Sequence, residues 1–252
     1  MRCKALDECG FKKHCFTTRL GGVSEGHLSQ LNLSFSREKR ENVLENYRRV
    51  AKVVGFSGTF ALTDQQHTDI VKKIDKEYDS RGFIMADSAV DGLITDKNGV
   101  CLTVFIADCV PVIIADPVKR AVACVHSGWR STAKKITKNA IEMMSREYGS
   151  NPRDLVCAIG PCINLCCYEV GQDVFDSFCM LDANAKSFFK AKADGKYMLD
   201  LNSANCAVLE QAGVLKSNIH ISYECTFCKS DLYFSHRATK GLRGNLAAMI
   251  EI

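Results

Sequence analysis

The sequence lacks the features that would place a protein outside the cell or in a membrane. Its opening residues, Met1-Arg-Cys-Lys-Ala-Leu-Asp-Glu-Cys-Gly10, hold no apolar core of a signal peptide, so secretion is not expected. No stretch is long and apolar enough to span a bilayer; the best candidate, residues 100–117, is broken by Asp108 and Asp116. No run of Lys or Arg forms a patch. A net charge of +4, from 33 basic and 29 acidic residues, is too small to argue for nucleic acid, though it suits a small anion such as phosphate. Nor does a Pro/Ser linker, repeat or low-complexity tract divide the chain. Its 252 residues, 46% hydrophobic and 25% charged, can bury a sizeable core.

Cysteine, by contrast, is abundant, at 14 residues. In a short secreted chain that number would suggest disulfides. Without a leader, a reducing cytoplasm fits better, with most thiols serving as small buried hydrophobes. Free thiols also favour metal ligation.

Apolar positions Leu44, Tyr47, Val50, Ala51 and Val54 fall at helical spacing and predict an amphipathic helix over 38–54, ended by Gly55. Val100–Ala107 is a continuous, β-branched apolar run, expected as a strand buried on both faces. Residues 112–115 and 121–125 predict two more strands around the turn Asp116-Pro117. A helix capped by Ser131 or Thr132 should follow, with Ala133, Ile136, Ala140, Met143 and Met144 as its stripe. Residues 155–159 read as a strand and 201–212 as a helix. Short buried strands among helices give a mixed α/β or α+β domain.

The informative segments are Ala107-Asp-Cys-Val-Pro111 and Val125-His-Ser-Gly-Trp-Arg-Ser-Thr132. They place Cys109 and His126 at the ends of two buried strands, where α/β proteins gather their sites. His67, in Gln65-Gln-His-Thr68, is a third candidate ligand. The three are too dispersed for a zinc finger, and three protein ligands leave one position open, as in catalytic zinc. Each also has a plainer reading, Cys109 as a core thiol and His67 as a surface residue. The strand-to-helix turn Gly128-Trp-Arg-Ser-Thr132 offers N–H groups, a helix dipole, Arg130 and two hydroxyls to a phosphate. An ordinary capped helix start with Trp129 in the core accounts for it as well. Cys225-Thr-Phe-Cys228 with Cys162, Cys166 and Cys167 could hold a structural zinc, or Cys225 and Cys228 could be a redox pair. Thiols without a function are the simpler account.

Beyond these, Thr17-Thr-Arg-Leu-Gly-Gly-Val-Ser24, Gln30-Leu-Asn-Leu33, Gln66-His67, Ala107–Pro111, His126-Ser-Gly-Trp-Arg130, Ala158–Ile163 with Cys167-Tyr-Glu-Val170, and Phe234-Ser-His-Arg237 occur in order. In this the chain resembles the multicopper polyphenol oxidase, or laccase-domain, family, more recently assigned as purine nucleoside phosphorylases. The resemblance runs from Phe16 to Ile252. It implies a single α+β domain over 1–252, with mixed β-sheets flanked by helices. It implies catalytic metal ligands at His67, Cys109 and His126, holding zinc or, by the older name, copper. It also implies phosphorolysis of adenosine, inosine, guanosine and methylthioadenosine, deamination of adenosine, and Arg19, Ser24, Asn32 and Arg130 facing a purine nucleoside and phosphate. Ser127, Ser131 and His236 depart from the small or aromatic residues usual at those positions, and a role for Cys228 does not follow from the resemblance.

In phosphorolysis, phosphate near Arg130 would attack the anomeric carbon as the N-glycosidic bond breaks, so the protein must position an anion and stabilise the departing purine. Deamination would draw on the same metal to activate water toward purine C6. Asp108 is a candidate acid, with a structural carboxylate the alternative. Copper-dependent phenol oxidation needs several His-rich sites, and six histidines are too few. A Cys/His hydrolase using Cys109 and His126 is a further possibility, which metal content would separate, because a metal-bound thiolate is not free to attack an acyl carbon. A non-enzymatic zinc module would leave the open position without a purpose.

Overall fold

Period-two burial through the central strands sets the architecture. The computed structural model describes residues 1–75, 82–181 and 184–252. Its strands are β1 (Lys13–Phe16), β2 (Thr59–Asp64), β3 (Val71–Lys73), β4 (Phe83–Ser88), β5 (Gly92–Thr95), β6 (Val100–Ile106), β7 (Val110–Asp116), β8 (Ala121–Ser127), β9 (Val156–Ile159), β10 (Glu169–Val170), β11 (Phe189–Ala191), β12 (Tyr197–Leu199), β13 (Ile219–Ile221) and β14 (Leu246–Glu251). They form one sheet in the order β1-β14-β6-β2-β4, a second in the order β13-β9-β7-β8-β5-β3, and a small third, β10-β12-β11. Both large sheets are mixed. In the first, β2 runs parallel to β4 and β6 while β14 is antiparallel to β1 and β6, and in the second, β9 is parallel to β13 and antiparallel to β7.

Alternate residues of a strand face opposite ways, so each central strand serves two cores. Ile113 and Ala115 of β7 and Val122 and Cys124 of β8 pack with Leu102, Val104, Ala248 and Ile250 of the other sheet. Their neighbours Val112, Ile114, Ala123 and Val125 face the helices instead. The helices are α1 (Lys4–Glu8), α2 (Arg40–Val54), α3 (Trp129–Ala133), α4 (Ile136–Tyr148), α5 (Gln172–Leu181), α6 (Leu201–Gln211) and α7 (His236–Thr239). Tyr47 and Val50 of α2 cover the outer face of the first sheet, and Ile136, Ala140, Met144, Leu201 and Leu209 of α4 and α6 cover that of the second. The result is one α+β domain layered helix, sheet, sheet, helix.

The helix expected over 38–54 forms from Arg40 to Val54 and ends at Gly55, whose φ of +88° suits glycine. The strands expected within 100–107, 112–115, 121–125 and 155–159 form, and Asp116 makes the turn by accepting the N–H groups of Val118 and Lys119. The helix after His126 differs. It begins at Trp129, with Gly128 as its cap, and is interrupted at Lys135, which takes φ +61° before α4 begins. Thr132 does not cap a helix: its hydroxyl donates back to Gly128 O at 2.8 Å. Among the described residues no helix is long and apolar enough to cross a membrane. All 14 thiols are free.

Candidate active site

Three successive connections cross from the first sheet to the second at one end of the sandwich. The β2–β3 connection carries His67, the β4–β5 connection Asp91, and the β6–β7 connection Cys109. These are the carboxyl ends of the three mutually parallel strands, the place where open sheets present their sites. His126, near the end of β8, sits opposite Pro111 and meets them there.

The sequence-predicted donors do converge. The ligand atoms of His67, Cys109 and His126 all lie within 4.8 Å of one another, with Cys109 Sγ 3.7 Å from His67 Nε2. The two imidazoles meet nearly edge to face, centroids 4.9 Å apart. Gly128 closes the space. A Cβ there would stand 2.6 Å from His67 Cδ2 and 3.1 Å from Cys109 Sγ, so only glycine lets the backbone approach so near. Two imidazoles and a thiolate in such a cradle are a donor set that a borderline-soft divalent ion would fit.

Asp91, which sequence reasoning missed, organises the set. Its carboxylate is fully buried and accepts His126 Nδ1 at 2.7 Å, leaving Nε2 to face Cys109. It also accepts the backbone N–H groups of Gln66, His67 and Thr68 at 3.1, 3.0 and 2.8 Å, and the Thr68 hydroxyl at 2.9 Å. Those bonds hold the turn in which His67 takes φ +60°. A carboxylate behind a ligating histidine fixes its tautomer and raises its basicity.

The electrostatics follow from this packing. Burial pushes the Cys109 thiol up, but His126 and His67 outweigh it and bring the thiol down to about 6. Burial lowers His126, whereas the Cys109 thiolate and the Asp91 carboxylate carry it up to about 9. Burial raises Asp91, and its bonds to His126 and Thr68 overcome this to hold it at about 2. The mutual attraction of Cys109 and His126 therefore favours a thiolate beside an imidazolium, the form from which a thiolate can ligate a cation.

The remaining expected site residues divide. Arg130 is exposed, its guanidinium lying over the Trp129 ring at 4.2 Å. Arg19, Ser24 and Asn32 each have partners within the chain. Arg19 donates to the carbonyls of Ser29 and Ser230 and stacks on Phe234. Ser24 accepts from Asn46, and the buried Asn32 bonds Ser34 and Asn245. Asp108 is likewise structural: its carboxylate accepts the Thr226 hydroxyl at 2.7 Å and the Arg237 N–H at 2.6 Å. The helix dipole expected behind Arg130 is short, since α3 has only 5 residues.

Other cations gather instead. Arg243 is half-buried, with Nε unpartnered among the described residues. Burial lowers its basicity, and the charges of Cys109 and Asp108 act to raise it. Arg237 lies 5.2 Å over the Tyr168 ring, and Tyr168 in turn feels the charges of Cys109, Arg237 and Arg130. Arg243 lay in a plain Gly-Leu-Arg-Gly stretch that carried no recognisable signal.

A sequence profile of the multi-copper polyphenol oxidoreductase laccase family matches residues 13–252. The chain belongs to that family. A relative from Geobacillus stearothermophilus named purine nucleoside phosphorylase YlmD is 36% identical over 240 residues, 93% of this chain and 88% of that protein. Another, named adenosine deaminase RL5 and from an unknown prokaryotic organism, is 36% identical over 69% of this chain and 67% of its own. The crystal structure of the Bacillus licheniformis hypothetical protein YfiH superposes with a TM-score of 0.87 at 33% identity, covering 95% of this chain and 92% of that one. The family's shared fold thus agrees with the sandwich described above.

Proposed function

We propose that the chain is a zinc-dependent purine nucleoside phosphorylase, acting on adenosine, inosine, guanosine and methylthioadenosine, with adenosine deaminase activity. The observation that carries this reading is the convergence of His67, Cys109 and His126 around Gly128, with Asp91 behind two of them. The names of the relatives supply the reaction class. Bound to the three donors, zinc would supply Lewis acidity at the position they leave open.

The chain's own residues do the rest. Asp91 keeps His126 Nδ1 protonated and Nε2 free, and fixes the His67 turn, so that the donor set is formed before substrate arrives. Arg130, with Arg237 and Arg243 near Cys109 and Tyr168, provides the positive field that holds phosphate against the anomeric carbon. A phosphate oxygen then forms its bond to that carbon while the carbon–purine bond breaks. Copper-dependent phenol oxidation finds less support. Among the described residues the triad is the one metal-capable cluster containing histidine.

The test is product analysis of zinc-quantified protein incubated with adenosine, with and without phosphate. Phosphate-dependent release of adenine is the expected result, with inosine as a second product. Phosphate-independent turnover to inosine alone would leave only the deaminase half, and no product would overturn the assignment.

A further inference from the structure

The sequence contains a second group of chemistry-bearing residues that the proposed reaction does not use. Cys166 and Cys167 lie in the loop after β9, and Cys225 and Cys228 in the segment that returns from β13 toward α7. Although Cys166 and Cys228 are 62 residues apart, their sulfurs are 3.7 Å from each other. Cys167 Sγ lies 3.5 Å from Cys166 Sγ and 3.3 Å from Cys228 Sγ, and all four sulfurs fall within 4.8 Å of one another. Cys162, grouped with them from sequence, is elsewhere: its buried thiol bonds Asn164 and Asn202.

Four sulfurs at these separations have a simple chemical meaning. Zinc–thiolate bonds of about 2.3 Å in a tetrahedron place the sulfurs about 3.8 Å apart. A covalent disulfide would need about 2.05 Å, and unrelated thiols have no reason to meet four at a time. The Cys225 sulfur also accepts the backbone N–H of Asn164 at 3.5 Å and that of Cys228. Backbone donors aimed at a sulfur stabilise thiolate, the form that ligates metal. The CxxC lies in turns rather than at the start of a helix, unlike the redox-active kind.

We infer that Cys166, Cys167, Cys225 and Cys228 form a second zinc site, tetrathiolate and structural. With all four positions filled by protein, such a site binds no substrate. Its consequence lies one residue from the catalytic thiolate. The two segments it joins both grip Asp108, through Ile163 N to the Asp108 carbonyl, and through the Thr226 hydroxyl and Arg237 N to its carboxylate. The second ion would thus staple the loops that fix the β6–β7 connection on which Cys109 stands.

The experiment is metal counting, which needs no enzyme assay and is read separately from the proposed activity. Full-length protein purified without chelator should contain about two zinc ions per chain. Cys109→Ser should retain the tetrathiolate ion, and the double variant Cys166→Ser/Cys228→Ser should retain the other. Should the double variant not fold, the wild type decides. Iodoacetamide followed by peptide mass spectrometry should leave the exposed Cys166 and Cys228 protected until a strong chelator is added. Zinc that is lost entirely in Cys109→Ser would overturn the site. So would alkylation of Cys166 and Cys228 at the same rate with and without chelator, or recovery of the cysteines as disulfides.

Discussion

Asp91 and His126 are joined by a 2.7 Å hydrogen bond between two buried side chains, and the same carboxylate receives three backbone N–H groups from the turn that carries His67. One residue thus orients two of the three candidate ligands while standing outside the donor set. Replacing it with asparagine preserves shape but removes the charge and turns one acceptor into a donor. Asp91→Asn is expected to weaken zinc binding by about 10- to 100-fold, the usual cost of losing such a partner. Competition with a calibrated chelator measures it, and unchanged affinity would deny Asp91 this role.

Gly128→Ala tests the cradle. The added methyl would press on His67 at 2.6 Å and Cys109 at 3.1 Å. The expected outcome is a folded protein, by circular dichroism, whose triad zinc falls below a tenth of the wild-type occupancy. Full occupancy would mean that the two side chains have room to withdraw.

The charge state of the metal-free site sets a pH window. Cys109 sits at about 6 and His126 at about 9, so the thiolate–imidazolium pair exists between those values. The depressed thiol contributes stability above its unfolded pKa, lost as pH falls through about 6. The raised imidazole contributes below its unfolded pKa, lost as pH rises through about 9. Site-resolved alkylation of Cys109 in metal-free protein should therefore rise with a midpoint near pH 6. His126→Asn should move that midpoint up toward the ordinary thiol value, and an unmoved midpoint would show that His126 does not hold the thiolate.

Arg130→Lys distinguishes phosphate from purine. A guanidinium grips two phosphate oxygens at once, and an ammonium does not. Phosphorolysis should drop about tenfold or more, while adenosine deamination, which needs no phosphate, should fall far less. Equal loss of both activities, with a lower melting temperature, would make Arg130 a structural residue.

Much of the fold was legible because its signals are local. The run Val100–Ile106 is apolar on both faces, and it is buried on both faces because it lies between α2 and the second sheet. The interruption at Lys135 was not legible: a lysine at φ +61° carries no glycine or proline to mark it. His67, Cys109 and His126 were found from residue type and context. Asp91 escaped because an aspartate before glycine looks like an ordinary turn residue, and its partner His126 is 35 positions away. The partners of Arg19, Ser24 and Asn32 were not legible either, since they lie far along the chain at Ser230, Asn46 and Asn245. Sheet membership was hidden too, since no local pattern tells β6 from β7 as strands of different sheets.

That alternation of sheets makes the donor set a gauge of the distance between the two layers. His67, Asp91 and Cys109 each ride on a short span anchored at both ends, one end in each sheet. A sub-ångström change in how Leu102 or Val104 packs against Ile113 or Val122 would therefore reach the sulfur and the imidazole nitrogens directly, with no hinge to absorb it. Ion affinity would then respond to a methyl group deleted deep in the interlayer core, and a bound ion would resist the sliding of one layer over the other.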